Sequence, residues 1–312
     1  MSCGEDSMVS WFEGQRSLSG DRFPIGIGDD MAQIRLAEGA SCLITTDMLL
    51  EGVHFDLATT TLQQVGYTAM AVSLSDCAAM ATMPVAAVVS VALSPDHGHD
   101  TLKELHAGIT SAGDKYGCAL VGGDMTAWRH ALGGLALNVT MMSKPGARPP
   151  ITRSNAQAGD QICVTGSLGG SLKGRHLSFT PRVQEALHMG KTAEIHAMID
   201  ISDGLSTDLH RICQRSGVGA LVEAQSIPLT QAAQQNEWPV ESALHDGEDF
   251  ELLFTLAQEE LDRLLQNWPF AAPITPIGCI TEGRKTEIRQ KDGRILDLAA
   301  GGYDHLAHEN SI

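Results

Sequence analysis

Carboxylates close the apolar runs of this chain five times: at Asp29-Asp30, Thr45-Thr46-Asp47, Ser75-Asp76, Gly123-Asp124 and Asp200-Ile201-Ser202-Asp203. Each stands at or near the end of an apolar stretch, where a strand or buried helix would deliver its side chain into a cleft. Asp76 is the sharpest case. It falls among Val72, Leu74, Cys77 and Ala78 in a segment with helical spacing, and a charge there is costly without a partner. Two carboxylates about 4 Å apart repel by roughly 4 kcal/mol at an effective dielectric near 20. Several converge only if cations sit between them, and an all-oxygen donor set favours Mg²⁺, Mn²⁺ or Ca²⁺ over zinc or copper. Mg²⁺ held by carboxylates usually completes its shell with water and substrate phosphate. The series therefore reads as a nucleotide-phosphate site built on metal ions.

At 312 residues the chain exceeds what one core usually covers, so two α/β domains are expected, at 1–144 and 145–312. The first contains a strand at Ser41–Thr46 ending at Asp47, a helix over Thr61–Met83, a buried strand over Pro84–Leu93 and an amphipathic helix over Asp100–Tyr116. Ala119–Val121 then leads into Gly122-Gly123-Asp124, and Leu135–Met142 gives another strand. The proline-rich Ser143–Pro150 breaks the periodicity. Strands at Asp160–Thr165, Ala197–Ile201, Glu251–Leu256 and Ile274–Ile280 follow, with a helix at Glu259–Asn267 and a hairpin turning at Lys291-Asp292-Gly293. Ser202 and Asp203 suit the start of a helix carrying Leu205, Leu209 and Ile212, where they would cap amides or meet an anion.

The formal charge is −17, from 21 basic and 38 acidic residues, a balance that argues against nucleic acid or anionic membrane as partner. It also means that a polyphosphate needs metal ions to approach. No apolar stretch reaches the 18 or so residues of a membrane span. The seven cysteines are dispersed without a C-x-x-C pair, which suits a reducing cytosol. Together these features lead to the expectation of a cytoplasmic protein. A phosphate loop of the Walker type is nearly present at Gly169-x-x-x-x-Gly174, but Arg175-His176 stands where lysine and a hydroxyl residue are required.

Gly26-Ile27-Gly28-Asp29-Asp30, Thr45–Leu49 through Glu51–Phe55, Ser73–Asp76 and Gly122-Gly123-Asp124 resemble blocks of the thiamine-monophosphate kinase family. So do Thr152-Arg153-Ser154, Ile199–Leu205, Gly247–Phe254 and Gly301–His305. The wider superfamily includes aminoimidazole ribonucleotide synthetase and selenophosphate synthetase. The resemblance implies a two-domain architecture of the aminoimidazole ribonucleotide synthetase type, with N-terminal sheet domains pairing in a homodimer. It implies ATP-dependent phosphorylation of thiamine monophosphate by in-line transfer, with Mg²⁺ at Asp30, Thr45, Thr46, Asp47, Asp76, Asp124, Asp200 and Asp203. Gly123, Asp124, Arg153 and Ser202 match its ATP-binding positions, and His54, Glu248 and Tyr303 lie where it meets thiamine phosphate. No side chain is expected to act beyond holding metal and phosphate, because a phosphate nucleophile is already ionised. The chain departs from the family pattern at Met125, in a short 170–176 stretch, and at His245-Asp246. The alternatives are another ATP-using superfamily member with a different small substrate, or a non-catalytic sensor of ATP and Mg²⁺.

Overall fold

The computed structural model describes residues 5–15, 19–94, 97–129 and 133–304. Its first half runs through helix α1 (Glu5–Gln15), strands β1 (Ala32–Ala37) and β2 (Ala40–Leu50), helix α2 (Leu62–Ala79), strand β3 (Thr82–Leu93), helix α3 (His99–Lys115), and strands β4 (Ala119–Ala127) and β5 (Ala136–Pro145). These strands form one sheet in the order β1-β2-β5-β3-β4, antiparallel except for the β3–β4 edge. The second half contains β6 (Gln161–Thr165), α4 (Val183–Thr192), β7 (Ala197–Asp200), α5 (Leu205–Ser216), β8 (Gly219–Glu223), α6 (Gln231–Gln234), α7 (Pro239–His245), β9 (Leu252–Leu256), α8 (Gln258–Gln266), β10 (Ile274–Thr281), β11 (Thr286–Arg289) and β12 (Ile295–Asp297). Its strands make a seven-stranded sheet, β12-β11-β8-β10-β6-β9-β7. The mixed α/β architecture expected from the sequence is present, in its α+β form. Among the described residues no helix is long and apolar enough to cross a membrane.

Helix α2 organises the molecule. Its start is fixed by a reciprocal cap, in which Thr61 accepts from the Gln64 amide while the Gln64 side chain accepts from the Thr61 amide. Beyond the cap it has no polar stripe: Val65, Ala69, Met70, Leu74, Cys77 and Ala78 are all buried, as expected of a helix walled in on every side. One flank lies on β2, β3 and β5, another on α3, and a third on α4 and β7 of the second half. A single apolar cluster consequently runs from Leu43, Leu74 and Val139 through to Met198, Phe254 and Leu261. The α2–α3 crossing is glycine-to-glycine. A Cβ on Gly66 would lie 2.2 Å from the Leu105 carbonyl oxygen, and one on Gly108 would lie 2.0 Å from that of Gln63.

Three local expectations differ from the structure. Strand β2 does not stop before Asp47, because its ladder with β5 continues from Leu43 to Leu50. Likewise β4 runs through Gly122-Gly123-Asp124 instead of ending there, paired with β3 as far as Ala127. Helix α5 is capped at Gly204, with no side-chain cap bond, so Ser202 and Asp203 belong to the turn before it.

Candidate active site

Asp30, Asp76 and Asp200 each bring one carboxylate oxygen to a common point, all within 4.8 Å of one another. They come from the β1 approach, the last turn of α2 and the end of β7, so the site lies where the two halves meet on α2. Each neighbouring carboxylate is steadied by a hydroxyl. Thr45 Oγ1 donates to Asp76, Ser73 Oγ to Asp47 at 2.5 Å, and Ser75 Oγ to Asp200 at 2.5 Å. Burial raises Asp200 to about 7 and Asp47 to about 6, with Asp30 adding to both. Asp76 is pushed well up, by burial first and then by Asp47, Asp200 and Asp30. A set of oxygens that resists ionisation for want of positive charge fits a hard divalent cation.

Three arginines supply positive charge along the cleft wall. Arg153 grips Asp30 with two nitrogens, Nη2 at 2.8 Å and Nε at 3.3 Å, and donates its backbone amide to Asp29 at 2.8 Å. Arg211 Nη1 bridges Asp203 at 2.5 Å and the buried Asp208 at 2.8 Å, and its guanidinium reaches Asp6 of α1 at 3.2 Å. Arg215 pairs with Glu13, also on α1. Helix α1 thus lies along one wall of the cleft, where Asp6, Val9, Ser10 and Glu13 face Arg211 and Arg215. The sequence reading missed this wall. The three-residue spacing of Asp208 and Arg211 marks one ion pair on α5, but nothing local marks their partner some 200 residues earlier.

The cleft has a volume of about 1300 Å³. Asp30, Thr45, Thr46, Asp47, Asp76, Arg153, Ser202 and Asp203 line it, together with His54, Glu248 and Tyr303. His54 Nδ1 accepts the Leu50 amide at 3.0 Å. Tyr303 is half exposed, and its backbone amide donates to the Asp203 carbonyl at 3.0 Å. Glu248 is raised to about 7, by burial first and then by Asp203. His305, the end of the same C-terminal block, lies outside the described residues.

Two expected groups are not brought to the carboxylate cluster. Alternation along β2 turns Thr45 and Asp47 towards α2 and Thr46 to the opposite face. There its hydroxyl meets Thr140 Oγ1 at 3.0 Å and accepts from Asn138 Nδ2 at 3.0 Å. Asp124 is exposed on the edge strand β4, in register with Ser90, and neither it nor Gly123 lines the cleft. Gly123 serves close strand approach, since a Cβ there would fall 2.0 Å from the Val89 carbonyl oxygen. The Walker-like turn is spent internally. The Gly169 amide donates to Asp249 at 2.9 Å and the Gly170 amide to Asp246 at 2.9 Å. His245 bonds Ser206 Oγ at 2.9 Å and does not line the cleft, whereas Asp246 does.

Residues 28–144 match the model for the N-terminal domain of AIR synthase related proteins, and residues 154–291 match that for the C-terminal domain. The chain is 37% identical over 286 residues to the thiamine-monophosphate kinase of Rhodopirellula baltica, covering 88% of each. It is 32% identical to that of Escherichia coli K12, covering 98% of this chain and 99% of the relative. A solved structure described as AaThiL complexed with AMPPCP and TMP superposes with a TM-score of 0.82, at 29% identity over 97% of both chains. The thiamine monophosphate kinase of Aquifex aeolicus gives a TM-score of 0.75 at 27% identity, over 93% of this chain and 97% of that one.

Proposed function

The chain belongs to the thiamine-monophosphate kinase family of AIR synthase related proteins, and we propose that it transfers the γ-phosphoryl group of ATP to thiamine monophosphate, giving thiamine diphosphate. The observation that carries this reading is the convergence of Asp30, Asp76 and Asp200 within 4.8 Å, where Asp30 and Asp76 line a cleft shared with Glu248, His54 and Tyr303. An oxygen-only cluster with a carboxylate and an aromatic ring in the same cleft suits two phosphates and a cationic heterocycle.

Asp30, Asp76 and Asp200 would hold Mg²⁺, with Thr45 and Asp47 beside them and Asp203 at the α5 side. When bound, the metal would supply the positive charge that offsets the phosphates. The chain's own contribution is position and countercharge. Arg153 already forks a carboxylate, and the same planar fork suits a nucleotide phosphate. Ser202 and its neighbours shape the turn beside the phosphates. Glu248 and Tyr303 orient the thiamine portion, with His54 across the cleft. The terminal phosphate of the acceptor is ionised at neutral pH, so the attacking oxygen needs no general base. The proposed set from the family also includes Thr46, Gly123 and Asp124, which lie outside the cluster.

Oligomeric state and location belong to the same reading. One face of the five-stranded sheet is open and exposes Met48, Val88 and Met142, with Val121 and Met125 on its edge strand. A second copy covering that face would make a homodimer and place Thr46 and Asp124 at the interface. The six described cysteines are free thiols, in keeping with the cytoplasm. A division into 1–144 and 145–312 places the boundary between the two family-matched regions.

The test is a coupled assay with ATP, Mg²⁺ and either thiamine monophosphate or free thiamine. Thiamine diphosphate should form from the monophosphate, and the free alcohol should turn over at least 100-fold more slowly, since it lacks the ionised nucleophile. Comparable rates on both acceptors, or none on the monophosphate, would overturn the assignment.

A further inference from the structure

The turn 248–251, which leads into β9, divides its side chains between two faces. Glu248 and Phe250 line the cleft, whereas Asp249 and Glu251 are buried behind it. The turn is strained, since Glu248 and Phe250 both have positive φ, at 52° and 49°, a region that side chains other than glycine's rarely adopt. Two amide bonds pin it to the adjacent strand end, Glu248 to the Ser202 carbonyl at 2.6 Å and Phe250 to that of Ile201 at 2.8 Å.

The buried face is held by arginines. Arg182 forks Glu251 with two bonds of 2.7 Å, and Thr165 Oγ1 donates to the same carboxylate at 2.7 Å. Arg175 spans the pair, with Nη2 on Asp249 and Nη1 on Glu251 at 3.4 Å. Arg175 ends the loop that begins at Gly169, whose amide also donates to Asp249. Within that loop Leu172 is exposed and lines the same cleft as Glu248 and Phe250. Phe250 is backed in turn by Phe179, the rings stacked at 4.2 Å. One guanidinium therefore fastens two stretches of cleft wall that are 74 residues apart in the chain.

We propose that Arg175 is a positioning residue for the acceptor: it locks the Leu172 loop to the Glu248–Phe250 turn as a single wall against which the cationic heterocycle packs. The proposal rests on the assignment of thiamine monophosphate to this cleft. A carboxylate beside an aromatic face selects a flat cation over a polyphosphate, so the wall bears on the acceptor and not on ATP. Arg175 does not line the cleft, so it acts through Asp249.

The experiment uses the full chain with Arg175→Met, which keeps the length but removes the fork, and Arg175→Lys, which keeps the charge. For Arg175→Met, the KM for thiamine monophosphate should rise about tenfold, with kcat within threefold and the KM for ATP within twofold of the parent. Arg175→Lys should recover part of that rise, because a point charge satisfies one carboxylate but not both. Digestion of the native protein by a lysine-specific protease gives a readout independent of substrate. Cleavage after Lys173 should be at least fivefold faster in Arg175→Met than in the parent. Equal increases in both KM values, a loss confined to kcat, or unchanged KM and cleavage would overturn the proposal. If the parent protein fails to phosphorylate thiamine monophosphate, the substrate assignment falls. Unchanged cleavage in Arg175→Met would then overturn the clamp itself, and faster cleavage would support it.

Discussion

Replacing Asp200 by asparagine should stabilise the metal-free protein at pH 8 and abolish its stabilisation by Mg²⁺. Asp200 is buried, and its pKa is raised from the ordinary 3.8 to about 7, chiefly by burial and then by Asp30. At about 1.36 kcal/mol per pH unit, ionising it in the fold costs on the order of 4 kcal/mol. The folded state binds the proton more tightly than the unfolded state. Its contribution is therefore fully present below about pH 4 and is lost as pH rises through about 7. For a chain of this size 1 kcal/mol shifts Tm by roughly 2 °C, so about 8 °C is at stake. Asparagine can still accept the Ser75 hydroxyl, yet it needs no countercharge. Scanning fluorimetry in EDTA and in excess Mg²⁺, at pH 5.5 and pH 8, measures all the terms. The parent in EDTA should lose Tm between the two pH values, and Mg²⁺ should restore more at pH 8. Asp200→Asn should lose less Tm with pH, melt several degrees higher than the parent at pH 8 in EDTA, and respond little to Mg²⁺. A variant that melts lower than the parent at pH 8 in EDTA, or that keeps the full Mg²⁺ response, would refute the reasoning.

Asp47→Asn should lower turnover by more than the 10–100-fold typical of a residue that only supports a metal ligand, and steady-state rates across a Mg²⁺ titration will show whether saturating metal rescues it. Glu248 is raised to about 7, so it is neutral below that pH and anionic above it. The KM for thiamine monophosphate should accordingly fall as pH rises from 6 to 8, and a Glu248→Gln variant should flatten that profile. Gly66→Ala would place a Cβ 2.2 Å from the Leu105 carbonyl oxygen. Forcing α2 and α3 apart should cost about 1–3 kcal/mol, readable as a lower urea midpoint with an unchanged m-value.

What the sequence made legible depended on whether the signal was local. Asp76 is conspicuous because its apolar surroundings extend all round α2, and that burial is what aims it at the site. Asp200 is similarly marked by the run Ala197–Ile201. Thr46 shows the limit of motif reading, because adjacent letters in a strand point to opposite faces. Ser202 and Asp203 resemble helix caps in composition, but Gly204 takes the cap position with a φ of 114°, a backbone fact that no side-chain pattern encodes. The walls made by α1 and by Arg175 were invisible. Each rests on ion pairs between segments some 70 to 200 residues apart, whose partners are chosen by the tertiary fold. The spent amides of Gly169 and Gly170 explain why a loop so close to a phosphate-binding motif in sequence differs from one in chemistry.

Helix α2 also dictates the order in which this chain can be made. Its flank against α4 and β7 is supplied by residues 183–200, which leave the ribosome long after the helix itself. Until they arrive, the nascent first half carries an uncovered apolar strip along that flank. A gene cut between the halves should therefore yield a sticky, aggregating N-terminal product, and co-expression of the missing half should rescue it. Nucleotide chemistry and biosynthesis thus meet in one element, since the helix that presents Asp76 is enclosed only once the second half has begun to form.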